Sequence, residues 1–295
     1  MRAFCRLFTL IFSALMLVQK VEAVELDWVF PKFPSFDLCL QHVEGKGLGY
    51  SEGYSSLDLF LVEPFFYPSF SFFVDLRGHV FNNGRHAGNA GAGLRGFNKC
   101  LVWGINGYYD YTHSRHQPYC QWALGMELLG RSWELRINAY FPYGTTSRFL
   151  HEGLHLNRAE AAMRGVDSEI GYRYCCGRLN LYVGAGPYFY YGHTAAMRHV
   201  FHRKSFSAAG GRASVHALFF EHVTLDGWVT CDTRFSWGGQ VCLGIDVPFD
   251  LLVREPCCRR TYNDCSLESK LSYPVYRNEI VVTKRIHTKI QRCKE

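Results

Sequence analysis

After its first two dozen residues this chain of 295 has no apolar run long enough to cross a membrane as a helix. Something polar interrupts the hydrophobic stretches every other residue, so if the mature chain sits in a membrane it does so without helices. It also lacks a dense block of lysine and arginine. The net charge of +6 is spread along the chain and no nucleic-acid motif accompanies it, which argues against nucleic acid as a partner. Acids, histidines and serines are plentiful but form no acid–His or Ser–His constellation, so the chain does not read as an enzyme and no catalytic residue or cofactor is assigned. With 20% charged residues against 16% aromatic, it is too apolar to remain disordered.

The one long apolar run stands at the start. Arg2 and Arg6 precede "LFTLIFSALMLV" (7–18), and Val21 and Ala23 occupy the −3 and −1 positions of a cleavage site. Residues 1–23 read as a signal peptide cleaved after Ala23, because a spanning helix needs about 20 apolar residues.

Alternation dominates the rest. In "RSWELRINAYFPYG" (131–144) Trp133, Leu135, Ile137, Ala139 and Phe141 share one face, and Ser132, Glu134, Arg136, Asn138 and Tyr140 share the other. The same period of two marks 69–81, 100–111, 118–129, 178–190 and 237–247, and more weakly 37–44, 55–62, 86–97, 165–175, 205–217 and 219–231. Twelve strands are expected, several of them longer than the roughly 5–6 residues of soluble strands and near the ~9–11 that a membrane requires. The joints at 98–99, 130, 176–177 and 218 are minimal, whereas 112–117, 142–164 and 191–204 are long. Short turns at one end and long loops at the other are the habit of outer-membrane barrels.

Hydrocarbon leaves no partner for an open sheet edge, so such strands must close into a ring. The expected fold is therefore an all-β antiparallel transmembrane β-barrel of about 12 strands, greasy outside and charged inside, in an outer membrane. Trp103, Tyr109, Tyr111, Trp122, Trp133 and Phe141 would stand in its aromatic girdles. A secreted β-sandwich is the rival reading; it does not account for charged faces on successive strands joined by one- and two-residue turns. The inner face is expected to carry Asp58, Asp75, Arg77, Arg95, Glu127, Glu134, Arg136, Asp167, Glu169, Arg173, Arg212 and Asp246. These charges either pair with one another and with water, or line a pore, or dock a segment of the chain.

Specific stretches then bring a family into view. "GAGLRGF" (91–97), "LVWGINGYYDY" (101–111) and "QWALGMELLGRSWELRINAYFP" (121–142), followed by "RAEAAMRGVDSEIGYRY" (158–174) and "YPVYRNEIVVTKR" (273–285), resemble the barrel of the intimin/invasin family, the inverse autotransporters. The resemblance implies a twelve-stranded barrel, a periplasmic N-terminus and a post-barrel segment that enters the pore and leads outward. On that basis 24–36 is a short periplasmic segment, 37–247 the barrel, 248–272 a periplasmic or plug segment and 273–295 a tail like the family's pore linker. Members of that family continue into adhesive passenger domains, and this chain is expected to act without one, as a membrane-anchored structural or surface protein. A small solute-conducting, porin-like pore is the alternative. Outer-membrane lipid and the barrel-assembly machinery are the expected partners.

Eleven cysteines remain after cleavage, an odd number for an oxidising compartment. Cys100, Cys175, Cys176, Cys257, Cys258 and Cys265 fall near the periplasmic end, and Cys293 in the tail, as candidates for disulfides to self or to other envelope proteins. The alternative is isolated thiols in the wall, as for Cys120. Adjacent cysteines lack zinc-knuckle spacing. His113, His116, His151, His155, His193, His199 and His202 read as loop surface, and no metal site is assigned. The loop 142–164 contains the helix-forming "NRAEAAM" and is expected to cover the outer mouth, to bind something outside, or to act as a spacer.

Overall fold

Each alternating stretch pairs with the next in the chain, and the first pairs with the last. The computed structural model describes residues 35–65, 70–98, 100–152, 156–176, 178–193, 205–220, 222–248, 266–267 and 269–289. The signal segment, the segment that follows it as far as residue 34, the stretch 249–265 and the last six residues lie outside these.

The wall is formed by β1 (Ser35–Lys46), β2 (Tyr54–Phe65), β3 (Phe70–Phe81), β4 (His86–Asn98), β5 (Leu101–His113), β6 (Pro118–Leu129), β7 (Trp133–Tyr143), β10 (Arg164–Cys176), β11 (Leu179–His193), β12 (Ser205–Phe219), β13 (Val223–Asp232) and β14 (Ser236–Pro248). Every neighbour is antiparallel, and β1 pairs with β14 from Asp37↔Pro248 to Lys46↔Gly239 to complete a closed barrel of twelve strands. The described residues contain no helix long and apolar enough to cross a membrane.

Burial alternates residue by residue, and its sense is inverted relative to a soluble protein. Along β7 Glu134, Arg136, Asn138 and Tyr140 are buried while Trp133 and Ile137 are exposed. Leu124, Met126, Ile170, Leu243 and Ile245 are likewise exposed on other strands. A continuous apolar belt far exceeds the few hundred Å² that soluble monomers tolerate, so lipid is its solvent. Rings edge the belt on both sides. Phe70 packs on Trp103 and Trp133 on Tyr172 at the tight-turn end, and Tyr109, Trp122 and Tyr143 pack together at the long-loop end. An 11-residue strand such as β7 spans about 25 Å of height at the usual barrel tilt, the thickness of the apolar band.

Two local expectations are corrected. The joint placed at 218 lies at 220–222, because β12 continues through Phe219 and the chain turns at Phe220, which adopts a left-handed φ of 53°. Neither glycine nor asparagine marks that turn. The "NRAEAAM" segment is not helical: β8 (Ser147–Glu152) and β9 (Leu156–Ala162) form a hairpin in the long loop, and β15 (Thr283–Lys289) pairs along β9 to make a three-stranded sheet. Backbone pairing on both sides of β9 overrides its local helix propensity.

The exposed belt carries a direct consequence. Ile137→Arg places a guanidinium on the lipid face midway along β7 and is expected to destabilise the barrel by about 2–4 kcal/mol. Equilibrium urea unfolding in phospholipid vesicles measures it.

Candidate functional site in the barrel lumen

The lumen is occupied in part by the chain's own post-barrel residues. A 3-10 turn, Ser269–Ser272, enters at the tight-turn end, where Leu267 and Leu271 pack with Val102 and Leu129. Irregular chain from Tyr273 to Val282, bent at Arg277 and Ile280, then climbs the interior, and β15 emerges at the other end against β9.

Charge holds the lower turn. Glu134 accepts from Lys270 at 2.6 Å, from Arg173 at 2.6 Å and from Arg136 at 2.5 Å, and its side chain has no exposed surface. Arg95 binds Glu127 through two nitrogens at 2.8 and 3.0 Å and donates to the carbonyls of Leu271 and Tyr273 on the tail. The ring of Tyr273 lies under the Arg173 guanidinium, 4.7 Å from its centroid.

The middle of the tail is fixed by a second set. Arg277 donates to both oxygens of Asp110, at 2.6 and 2.9 Å, and lies 3.8 Å over the ring of Tyr108. Tyr108 donates to Asp75, which also binds Arg77; Arg77 in turn reaches the tail at Glu279 and at the Val275 carbonyl. Asn89 donates to the Glu279 carbonyl, and the Asn278 amide donates to Tyr140, whose hydroxyl donates to Asp167. Small residues make room for the inward rings: a Cβ on Gly171 would collide with Tyr182.

At the upper end Val281, Val282 and Ile280 are buried, the Val281 amide donates to Thr112, and the Met163 amide donates to the Val282 carbonyl. Gly49, in the first long loop, has φ +84° and approaches Thr283 so closely that a Cβ would meet its backbone. Outside the wall, burial and the nearby Arg234 push the Lys284 ammonium below its usual range, with the ring of Phe235 beneath it.

The residues singled out from sequence all face this interior. Asp75, Arg77, Arg95, Glu127, Glu134, Arg136, Asp167, Glu169 and Arg173 are buried rather than bathed in water. Arg212 pairs with Glu169 at 3.3 Å, Asp58 accepts from Gln41 at 2.6 Å, and Asp246 stands with Asp58 on the wall of a cavity beside the tail. Sequence reasoning left out Asp110 and the tail residues Lys270, Arg277 and Glu279. The alternation of β5 already put Asp110 on the face of Tyr108, so it was within reach; nothing in the sequence paired it with Arg277.

Cys100 and Cys176 are exposed at the tight-turn end, and Cys175 stands beside Cys176 at the end of β10. Cys257, Cys258, Cys265 and Cys293 lie outside the described residues. Cys120 sits on the outer wall, where it accepts from Tyr109. Among the described residues no three ligating side chains converge to hold a metal ion; His113 stacks on His86 at 5.1 Å.

Comparison places this geometry among known barrels. Residues 69–197, from the start of β3 to just past β11, match the inverse autotransporter, beta-domain. A membrane protein solved in a study of in-meso crystallization is 15% identical, aligned over 85% of this chain and 100% of its own, with a TM-score of 0.59; that likeness is one of fold. The COG4313 outer membrane channel from Pseudomonas putida F1 is 11% identical over 78% of this chain and 100% of its own, with a TM-score of 0.49. The beta domain of the Bordetella autotransporter BrkA is 10% identical over 72% and 99%, with a TM-score of 0.36. No curated protein sequence matches the chain. A barrel of autotransporter type resides in the outer membrane.

Removing one partner of a buried pair leaves the other charge uncompensated, at about 3–5 kcal/mol. Arg277→Ala is therefore expected to loosen the tail, read as faster hydrogen exchange at the Val281 and Val282 amides and along β15. Wall amides should stay protected, and adding D110N should recover part of the loss.

Proposed function

Proceeding from a barrel that belongs, over residues 69–197, to the inverse autotransporter beta-domain, we propose that it anchors its own tail across the outer membrane in the manner of the intimin/invasin proteins. The tight-turn end faces the periplasm and the β8–β9–β15 sheet faces outward, following the usual sorting of short turns and long loops. The tail then enters from the periplasm, closes the pore and delivers β15 to the cell surface. The observation that carries this reading is the match of charge between tail and wall. Lys270, Arg277 and Glu279 each meet an opposite charge, at Glu134, Asp110 and Arg77. A barrel built only to conduct solute has no need to place its interior charges opposite its own post-barrel residues.

Export proceeds through cleavage after Ala23 and insertion by the barrel-assembly machinery. At the periplasmic rim the exposed Cys100 and Cys176, together with Cys257, Cys258 and Cys265, form disulfides that tie the barrel to itself or to neighbouring envelope proteins in that oxidising compartment.

Planar-bilayer recording tests the closed pore. Full-length protein should conduct little, and a chain ending at Pro248 should conduct strongly; equal conductance would favour the solute-pore reading. For the cysteines, electrophoresis without reductant should show species of higher mass that collapse to the monomer when reductant is added. An unchanged monomer band would remove intermolecular cross-linking.

A further inference from the structure

Most of the lipid face carries large apolar side chains. Across β11 to β14, toward the long-loop end, it falls back instead into a shallow depression of about 440 Å³, lined by Ala185, Pro187, Gly211, Ala213, Val229 and Trp237. Strand register sets these residues in two rows, each step about 4.8 Å from strand to strand. One row runs Pro187, Gly211, Cys231, Trp237, and the other Ala185, Ala213, Val229, Gly239. The protein's own packing does not call for the glycines, since a Cβ on Gly211 or Gly239 would meet nothing closer than 3.8 Å. Trp237, 70% exposed, stands at one end of the depression.

Three cations gather above it, all held on the β13–β14 turn. Lys46 continues the second row, opposite Gly239, and its ammonium donates to the carbonyls of Phe235 at 2.6 Å and Trp237 at 2.9 Å. Lys284 donates to the carbonyl of Arg234 at 3.1 Å. The Arg234 side chain reaches β12, where its Nε donates to the carbonyl of Ser207 at 3.4 Å, at the head of the outward column Ser207, Ala209, Gly211, Ala213. Among the described residues none of the three forms an ion pair. Asp232 is engaged by Tyr188 and by the amides of Arg234 and Phe235, and Glu44 by His42 and Asn82.

We propose that this part of the wall binds a phosphorylated lipid of the surrounding leaflet. Its phosphate would sit on Lys46 and Arg234, where ammonium and guanidinium donors to a phosphate form strong charge-assisted bonds. Lys284 would add its charge from the mouth side of the turn, and an acyl chain would lie along Ala209, Gly211 and Ala213 beside Trp237. A neutral or zwitterionic headgroup fits less well, because it leaves the gathered cations without an answering charge. Lys46 and Arg234 belong to the barrel itself, and only Lys284 rests on the tail reaching this mouth as proposed above. A failure of that reading would show separately, as open-channel conductance of the full-length protein with lipid binding kept.

Bromolipid quenching of full-length protein in phosphatidylcholine vesicles tests the proposal. Brominated phosphatidic acid at low mole fraction should quench tryptophan fluorescence beyond its share of the lipid, and brominated phosphatidylcholine at the same fraction should not. Trp237→Phe should remove the excess quenching, and Gly211→Leu should abolish it by filling the depression. Lys46→Gln and Arg234→Gln should each lower the relative affinity for phosphatidic acid about threefold, as expected for losing one exposed charge contact. Inorganic phosphate should leave the excess intact. Heat-modifiable migration on gels verifies that each variant folds. Gly211→Leu places its side chain in open space on the lipid face and so provides a folded variant if the charge variants fail. Quenching that follows mole fraction, an excess that survives in Trp237→Phe or Gly211→Leu, or displacement by inorganic phosphate would overturn the assignment.

Discussion

In hydrocarbon a backbone N–H or C=O without a partner costs several kcal/mol, and no water is present to relieve it. Everything else in this molecule follows from meeting that demand. A sheet can meet it only by pairing its first strand with its last, as β1 does with β14. Once closed, the sheet has two faces in different surroundings, and a period of two sorts side chains between them. Exposed leucine and isoleucine on the outer face and buried arginine and glutamate on the inner one are two results of the same closure.

Closure creates a second problem in its interior. The inner face holds charges in a narrow space whose walls exclude much of the water, and such groups are stable only when paired and hydrogen-bonded. The wall solves part of this alone: Arg95 meets Glu127, and Arg212 meets Glu169. Other groups depend on the tail. Without Arg277, Asp110 would keep only the neutral donors of Asn89 and Gln121. Occupation of the lumen is thus part of how the barrel accommodates its own charges.

The barrel was legible because its cause is local. Alternation can be read over ten residues, and the sorted loop lengths reveal which ends are which. What escaped depends on contacts between distant parts of the chain. "NRAEAAM" has helical composition, and only the arrival of β15 more than a hundred residues later makes it the central strand of a sheet. Asp110 lay on a readable inner face, but Arg277 is 167 positions away and no periodicity links them. The turn at Phe220 escaped for another reason: a phenylalanine at positive φ has no sequence signature. The inner residues Glu134 and Arg136 showed their side of the sheet in the pattern, yet whether water or protein would meet them depended on a segment that does not alternate at all.

Arg136 shows how far wall and tail complete each other. Its Nη2 binds Glu134 at 2.5 Å, and its Nε stands 3.7 Å from Glu127, too long for a hydrogen bond, so that Nε and Nη1 have no hydrogen-bond partner among the described residues. A buried guanidinium in that state is costly unless something else stabilises its charge. Two rings do so: Tyr182 of the wall at 5.0 Å and Tyr276 of the tail at 4.8 Å, the rings themselves parallel and 6.3 Å apart. The wall supplies one aromatic face and the tail the other, so a barrel without its tail would leave this cation half-served. Tyr276 therefore joins Lys270 and Arg277 as a contact through which the lumen distinguishes its own segment from an arbitrary extended peptide. A stretch lacking an aromatic residue at that height would fit the space and still leave Arg136 exposed on one side.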